Sequence, residues 1–237
     1  MTNIVLLTRD RPRLLRQCLD SLFGSVMAGG HKLPRHQPHQ FTLTVVDDGT
    51  TDNVAQRLLS DLPRNYCHLE LHRRSDHNIG ALRSGGVLSS ALRFGRGEWL
   101  YLSDNDVYFT VAWLERLTDL AESTESLGFR LWGGQVHPFH QPVASESRFT
   151  EHATLDGPSM LMRWNTWDNC GPMSGNGPGV YQGEDVFFCK AVTNKGGRIA
   201  VASPHVVYHT GLTNSEGKPA TGYPERAAQR KADIYYE

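Results

Sequence analysis

Short apolar runs alternate with amphipathic segments along this chain, and that alternation restricts the possible folds more than any other feature. Residues 4–7 form a continuous apolar run, as expected of a parallel strand that is buried on both faces. Pro12 then suits the first turn of a helix, and apolar residues recur at helical spacing through Leu22. Because parallel strands need crossover connections, the pattern predicts an α/β/α sandwich around a mostly parallel, Rossmann-like sheet.

The same alternation continues to the end of the chain. Further strands are predicted over residues 41–46, 68–72, 98–103, 130–136 and 199–208. Further helices are predicted over residues 84–94, 111–122 and 184–194. Another helix is predicted to run to about residue 62, with Thr51 or Asp52 as its N-cap. No internal repeat or domain linker interrupts the pattern, so a single domain is expected.

Composition narrows the functional classes. The formal net charge of −1 provides no general basic field for capturing nucleic acid, although the first hundred residues are more basic than the rest. The four cysteines are far apart in sequence, which disfavours a zinc site or a disulfide framework. No stretch approaches the ~20 apolar residues of a transmembrane helix, and the N-terminal apolar run is too short for a signal peptide. We therefore expect a soluble, cytoplasmic protein.

Two carboxylates follow the apolar run that begins at Trp99. Asp104 and Asp106 are one residue apart at the predicted end of this strand, so they are expected to share a face while Asn105 points away. Two hard oxygen ligands on one face are typical of a Mg²⁺ or Mn²⁺ site. A solvated turn with an Asx cap would produce the same pattern, so this motif alone does not decide between the two.

Polar residues also follow two other predicted strands. Residues 8–10 (Thr-Arg-Asp) and 47–49 (Asp-Asp-Gly) stand where ligands bind in open α/β sheets, beyond the carboxyl ends of strands. An aspartate there can accept the N3 hydrogen of a uracil ring. The alternative for residues 47–49 is a plain turn before a helix cap. Three acidic strand ends on one edge nevertheless favour a binding site.

In combination, these motifs resemble those of the family 2 glycosyltransferases of GT-A fold. The resemblance runs from Asn3 to about His209 and follows the family's motif order. It rests on Leu-Thr-Arg-Asp-Arg-Pro at 7–12, Val-Val-Asp-Asp-Gly-Thr-Thr-Asp at 45–52, Asn-Ile-Gly at 78–80, Gly-Glu-Trp-Leu-Tyr-Leu-Ser-Asp-Asn-Asp at 97–106, Gly-Glu-Asp-Val-Phe-Phe-Cys-Lys at 183–190 and Val-Val-Tyr-His at 206–209.

The resemblance implies a single GT-A domain with a donor half at 1–110, an acceptor and catalytic half at 111–210, and a tail at 211–237. It implies that a nucleotide-diphosphate sugar, with a UDP-sugar favoured, is bound by Thr8, Arg9, Asp10, Asp47, Asp48, Asn78, Gly80, Arg83, Asp104 and Asn105. It further implies that Asp106, Asp104 and His209 hold Mn²⁺ or Mg²⁺.

The family mechanism also implies a general base. Asp185 is expected to deprotonate an acceptor hydroxyl for an inverting transfer, with Glu184 as the alternative base. A helix start lowers the pKa of such carboxyl groups unless burial opposes it. Trp132, Trp164 and Trp167 are candidates for stacking against the acceptor, with simple core packing as the alternative. Residues 171–183 have the composition of a lid.

Departures from the family pattern leave alternatives open. Arg9 replaces the usual tyrosine, so stacking on the nucleobase would become a cation–π contact or be lost. Arg83 stands near the usual Ala-Arg-Asn and is expected to reach a phosphate. A glycan is the favoured acceptor. The alternative is a hydroxylated base in nucleic acid, with the basic N-terminal half and the loop at 24–40 as docking elements. A further alternative is a non-catalytic protein of the same fold that binds a nucleotide or a glycan. Residues 8–12 lack glycine, which disfavours a nucleotidyltransferase.

Overall fold

A computed structural model describes residues 1–25, 41–64, 67–72, 79–135, 142–155, 157–173 and 183–210. The strands are β1 Thr2–Thr8, β2 Phe41–Asp48, β3 Cys67–His72, β4 Trp99–Asp104, β5 Val107–Phe109, β6 Phe129–Gly133, β7 Ala144–Ser145, β8 Phe149–Glu151, β9 Ser159–Arg163, β10 Arg198–Ala202 and β11 Val207–His209. The α-helices are α1 Pro12–Ser25, α2 Asn53–Ser60, α3 Ile79–Phe94, α4 Trp113–Thr124, α5 Trp164–Cys170 and α6 Glu184–Asn194, and a short 3-10 helix spans Glu125–Leu127.

Nine of these strands form one sheet in the order β3-β2-β1-β4-β9-β6-β10-β8-β7. β1 pairs in parallel with both β2 and β4, β2 pairs in parallel with β3, and β10 pairs in parallel with β6. β9 is inserted antiparallel between β4 and β6. β5 and β11 form a separate antiparallel ribbon. The predicted mostly parallel sheet is confirmed, with an antiparallel strand at its centre.

Helices cover both faces of the sheet. Alternate residues of β1 enter different cores: Ile4 and Leu6 pack with α1, α2 and α4, whereas Val5 and Leu7 pack with α3, α5 and α6. Such alternation is what a strand buried on both faces requires. The observed architecture is therefore the predicted α/β/α sandwich.

Helix α3 begins at Ile79, five residues before its predicted start. The glycines at 85 and 86 weaken the helical signal because glycine is a poor helix former. A Cβ atom on Gly86 would lie 2.4 Å from Val46 Cγ2 and 2.8 Å from Val5 Cγ1. Glycine is present because the helix lies this close to the sheet.

One strand prediction required correction, and several short elements were missed. The strand predicted over 199–208 is divided into β10 and β11, and Pro204 lies between them, where it has no N–H to donate to a ladder. The short strands β5, β7 and β8 and the helix α5 were not predicted, because elements of two to seven residues give too little periodicity. Asp52 caps α2 as predicted, accepting hydrogen bonds from the backbone N–H groups of Val54 and Ala55.

Among the residues that the structure describes, no helix combines the length and apolar character needed to cross a membrane.

Candidate active site at the strand ends

Four segments bring polar residues to one edge of the sheet. The register pairs Thr8 with Asp47 and Leu7 with Asp104, so β1, β2 and β4 end at the same level. Because β9 runs in the opposite direction, its amino end lies at this edge, with Ser159 opposite Ser103. Loops that are distant in sequence therefore meet at one site.

The loop after β1 is held in an uncommon backbone conformation. Asp10 and Arg11 have φ values of 48° and 54°, in the left-handed region that non-glycine residues seldom adopt. Asp10 Oδ1 accepts hydrogen bonds from the backbone N–H groups of Thr51 (2.8 Å) and Asp52 (3.0 Å), and these bonds lower the pKa of Asp10. The Asp10 carboxylate therefore ties the β1 loop to the β2 loop.

Two other predicted donor-binding residues, Thr8 and Asp47, also form hydrogen bonds that hold the loops in place. Thr8 is buried, and its hydroxyl accepts a hydrogen bond from the side-chain amide of Asn105 at 2.9 Å. Asp47 Oδ1 accepts a hydrogen bond from the Thr50 N–H at 3.0 Å, which is the plain turn considered as an alternative. These polar groups hold the strand ends in place.

Asp48 differs from its neighbours. The residue is buried, and its Oδ1 atom has no hydrogen-bond partner among the described residues. Its Oδ2 atom lies 3.6 Å from Arg9 Nη1, and the Arg9 side chain is 23% exposed. A buried acceptor without a partner is costly. Asp48, the last residue of β2, thus has unused hydrogen-bonding capacity.

Asp104, at the end of β4, is held by an arginine from α3. Arg83 Nη2 donates a hydrogen bond to Asp104 Oδ1 at 2.7 Å. Burial raises the pKa of Asp104, with the charge of Arg83 opposing the shift. The Arg83 side chain is only 3% exposed, whereas the Asp104 side chain is 25% exposed. The carboxylate therefore faces the site, and the guanidinium lies beneath it.

Asp106 contacts two basic groups. Its Oδ2 atom accepts a hydrogen bond from Arg11 Nη1 at 2.8 Å, and its Oδ1 atom lies 3.0 Å from His209 Nε2. Burial opposes ionisation of Asp106, but the interactions with His209 and Arg11 outweigh it and lower the pKa. Gln135 fixes the strand that carries the histidine by accepting a hydrogen bond from the His209 backbone N–H.

The donor atoms at Asp106 and His209 are of the types that bind Mn²⁺. When two ligand atoms each lie about 2.1 Å from an ion and form a right angle at it, they are about 3 Å from each other. The distance between Asp106 Oδ1 and His209 Nε2 is 3.0 Å, which matches this spacing. Within the described ranges, no group of three or more His, Cys, Asp and Glu side chains is arranged to hold a metal ion. Mg²⁺ sites on phosphate substrates commonly use only one or two carboxylates, with substrate oxygens as further ligands. The residues fit such an ion in chemistry and spacing.

Two adjacent carboxyl groups at the start of α6 complete the site. Glu184 is buried, and its burial and the neighbouring Asp185 raise its pKa to about 7. Burial therefore overrides the pKa-lowering effect of the helix start at Glu184. Asp185 is half-buried and accepts hydrogen bonds from the N–H groups of Gly157 (3.0 Å) and Val186 (2.8 Å). Asp185 is the more accessible of the two carboxyl groups.

The three candidate acceptor-stacking tryptophans lie in the core. Trp132 is completely buried, meets Trp99 edge to face, and donates its Nε1–H to Thr124. Trp164 and Trp167 are also buried, at 7% and 9% exposure. A ring enclosed on both faces offers no surface to a sugar, so the burial of these three side chains favours core packing over the predicted stacking role.

The remaining predicted residues lie at or beyond its boundary. Gly80 is buried in the first turn of α3. Asn78, most of the loop at 24–40, most of the predicted lid and the tail at 211–237 lie outside the described residues. Sequence reasoning gave no role to Arg11 or Gln135. The family motif at 7–12 contains Arg11 and could have indicated it, whereas no local signal marks Gln135.

Comparison with known proteins shows which solved structures share this fold. Two solved structures similar in fold are S. aureus TarS 1-349 in complex with UDP-GlcNAc, with a TM-score of 0.61, 16% identity and coverage of 90% of this chain and 61% of that one, and GalNAc-T7 with UDP, GalNAc and Mn²⁺, with a TM-score of 0.62, 11% identity and coverage of 88% and 43%. A structure of TarS 1-349 without a named ligand has a TM-score of 0.56, 18% identity and coverage of 87% and 59%.

The chain therefore spans about three-fifths of the length of these TarS structures, at 59% and 61%. Comparison with curated protein sequences gave no match. The sequence profile described as "Glycosyl transferase family 2" matches residues 3–176, which is well over half of the chain. The chain belongs to glycosyl transferase family 2.

Proposed function

We propose that this protein is a metal-dependent, inverting glycosyltransferase that moves a sugar from a UDP-sugar to a hydroxyl group of a glycan. One observation carries the proposal. The guanidinium of Arg83 contacts both Asp104, 2.7 Å away, and Glu184, 3.6 Å away. The strand end suited to a nucleotide diphosphate therefore lies beside the acidic helix start suited to deprotonating an acceptor.

The carboxyl end of β2 would bind the nucleobase. Asp48 Oδ1 is a buried acceptor without a partner in the described part of the chain, and the N3–H of uracil would satisfy it. Arg9 lies beside it and has the planar cation needed to stack on a base ring. TarS and GalNAc-T7, which share the fold, have structures with UDP-GlcNAc and UDP. A UDP-sugar is accordingly the donor that we propose.

The diphosphate would lie between the ends of β4 and β11. Asp106 and His209 would hold a divalent cation there, and the accessible part of Asp104 faces the same edge. When bound, the cation would neutralise the charge that develops on the leaving nucleoside diphosphate. The GalNAc-T7 structure with Mn²⁺ supports a cation of this type.

Asp185 would act as the general base. Its carboxylate would take the proton of the acceptor hydroxyl as that oxygen forms a bond to the anomeric carbon. The bond from the anomeric carbon to the diphosphate oxygen breaks at the same time, and its electrons leave with the nucleoside diphosphate. Attack from the opposite face inverts the anomeric configuration. The hydrogen bonds from Gly157 and Val186 fix the carboxylate for this step.

The test is a transfer assay with UDP-sugars and a panel of oligosaccharide acceptors, with Mn²⁺ or with EDTA. We expect UDP release that requires both an acceptor and Mn²⁺, and proton NMR should show a β-linked product from an α-linked donor. Asp119→Asn, a substitution on the exposed face of α4, is the control. Retention of configuration, or full turnover in EDTA, would contradict the mechanism.

A further inference from the structure

We infer that Arg83 is a positioning residue that fixes the donor carboxylate Asp104 relative to the general base Asp185, and that it does not bind the donor phosphates itself. The inference rests on the proposed function for its catalytic consequence. Its structural part rests on the contacts of one buried guanidinium.

Arg83 contacts three segments that are far apart in sequence. Nη2 donates to Asp104 Oδ1 at 2.7 Å, and Nη1 donates to the Gly157 carbonyl oxygen at 3.0 Å. Nε lies 3.6 Å from Glu184 Oε1. One side chain of α3 therefore joins the end of β4, the loop before β9 and the start of α6.

The contact with Gly157 extends to the proposed base. Gly157 accepts a hydrogen bond from Arg83 through its carbonyl oxygen and donates one to Asp185 Oδ2 through its N–H, at 3.0 Å. A displacement of the guanidinium would therefore move the group that orients Asp185. The fixed donors of arginine suit this role better than the single ammonium of lysine.

Burial argues against direct phosphate binding. Arg83 is 2% exposed, and both Nη atoms already donate to protein oxygens. A Cβ atom on Gly157 would lie 2.8 Å from Nη2 and 3.3 Å from Cζ, so this loop lies directly against the guanidinium. A phosphate would have to displace the loop to reach it.

The test compares Arg83→Lys and Gly157→Ala with the wild type. Lysine keeps the positive charge but cannot make all three contacts, and the alanine methyl group would push the guanidinium aside without changing any charge. Arg163→Lys is the matched control, because Arg163 also forms ion pairs with two carboxylates, those of Glu98 and Glu125. Arg163 lies opposite Trp99, at the end of β4 that is farther from Asp104, so it is remote from the candidate site. Gly157→Ala also guards against an Arg83 variant that fails to fold.

Two measurements are made on each variant: steady-state kinetics with a UDP-sugar, and backbone amide hydrogen exchange without ligand. We expect both site variants to lower kcat by about 10- to 100-fold through misplacement of the base. The donor KM should change by no more than about threefold, because the Asp104 carboxylate is kept and only its position is loosened. Amide exchange should rise in Arg83→Lys both around Asp104 and around Asp185, and Arg163→Lys should match the wild type in kcat.

A raised donor KM with unchanged kcat would overturn the inference, because it would mean that Arg83 serves donor binding alone and does not position the base. Unchanged kcat and KM in both site variants would overturn it too. If the wild type turns over no UDP-sugar, the proposed function fails, and the exchange data still test the link. Faster exchange at both segments would then support it, and faster exchange at one or neither would refute it.

Discussion

The two sides of the candidate site are stabilised in different ways. On the nucleotide side, the Asp10 carboxylate accepts hydrogen bonds from backbone N–H groups of the neighbouring loop. On the acid side, Glu184 lies against the buried guanidinium of Arg83, which also pairs with Asp104 at the end of β4. Backbone hydrogen bonds bring no charge into the core, whereas buried ion pairs become costly once one partner is removed.

This difference implies different responses to mutation. The nucleotide side should tolerate the loss of a single carboxylate as a local change in a loop, since many backbone bonds hold it. The acid side should respond through both catalysis and pH-dependent stability, because its charges are buried together.

Asp185→Asn should abolish most of the transfer activity and leave nucleotide binding intact. Asparagine keeps the shape and one acceptor oxygen, so it can accept a hydrogen bond from either Gly157 or Val186 but not from both, and it cannot take a proton from the acceptor. Loss of a general base costs about 10²- to 10⁴-fold in rate. Turnover is measured by UDP release and affinity by calorimetric titration with UDP. Substantial turnover in this variant would move the base to Glu184.

Glu184→Gln should change how stability depends on pH. The pKa of Glu184 is raised in the folded protein from 4.5 to about 7. The folded state therefore binds more protons than the unfolded state between these values, and the stability of the wild type falls as pH rises through this window. Glutamine does not titrate. As the pH rises from 4.5 to about 7, the free energy of unfolding of the variant should therefore increase relative to that of the wild type, by up to about 3 kcal/mol.

Urea unfolding at pH 4.5, 6 and 7.5 measures this effect, with Glu122→Gln on the exposed surface of α4 as control. A constant difference between Glu184→Gln and wild type at all three values would show that the acid side is not electrostatically distinct from the nucleotide side.

Adjacent glycines of α3 should respond in opposite directions. Gly86→Ala places a methyl group against Val46 and Val5 and should destabilise the protein by about 1–3 kcal/mol through overpacking. Gly85→Ala has its nearest contact at 3.6 Å, with Glu70 Oε1, and should stabilise the helix by about 0.5–1 kcal/mol. Thermal unfolding compares the two, and equal effects would refute the close helix–sheet contact.

The sequence predicts the nucleotide side better than the acid side. Residues 8–10, 47–49 and 104–106 are short, continuous motifs at the ends of strands with strong apolar periodicity, so their convergence follows from the parallel sheet. Arg83 and Gly157 are 74 residues apart, and their contact depends on the antiparallel insertion of β9. Nothing local to either residue encodes that contact.

The degree of burial of individual side chains could not be predicted from the sequence either. The sequence cannot distinguish a tryptophan at an acceptor surface from one in the core, and the structure encloses Trp132 completely. It likewise cannot show whether burial or the helix start controls the pKa of Glu184, which depends on how closely Arg83 and α6 pack. Both quantities are properties of the three-dimensional packing.

In the proposed function, the strand ends bind a uridine diphosphate together with a divalent cation. The most direct measurement is the melting temperature of the protein with UDP, ADP or GDP, each with Mn²⁺ or with EDTA, in the wild type and in Asp106→Asn. A ligand that binds only the native state raises the melting temperature by mass action. We expect UDP with Mn²⁺ to raise it in the wild type, with the increase lost in EDTA and in Asp106→Asn. An equal increase with and without Mn²⁺, or none with any nucleotide, would contradict the account.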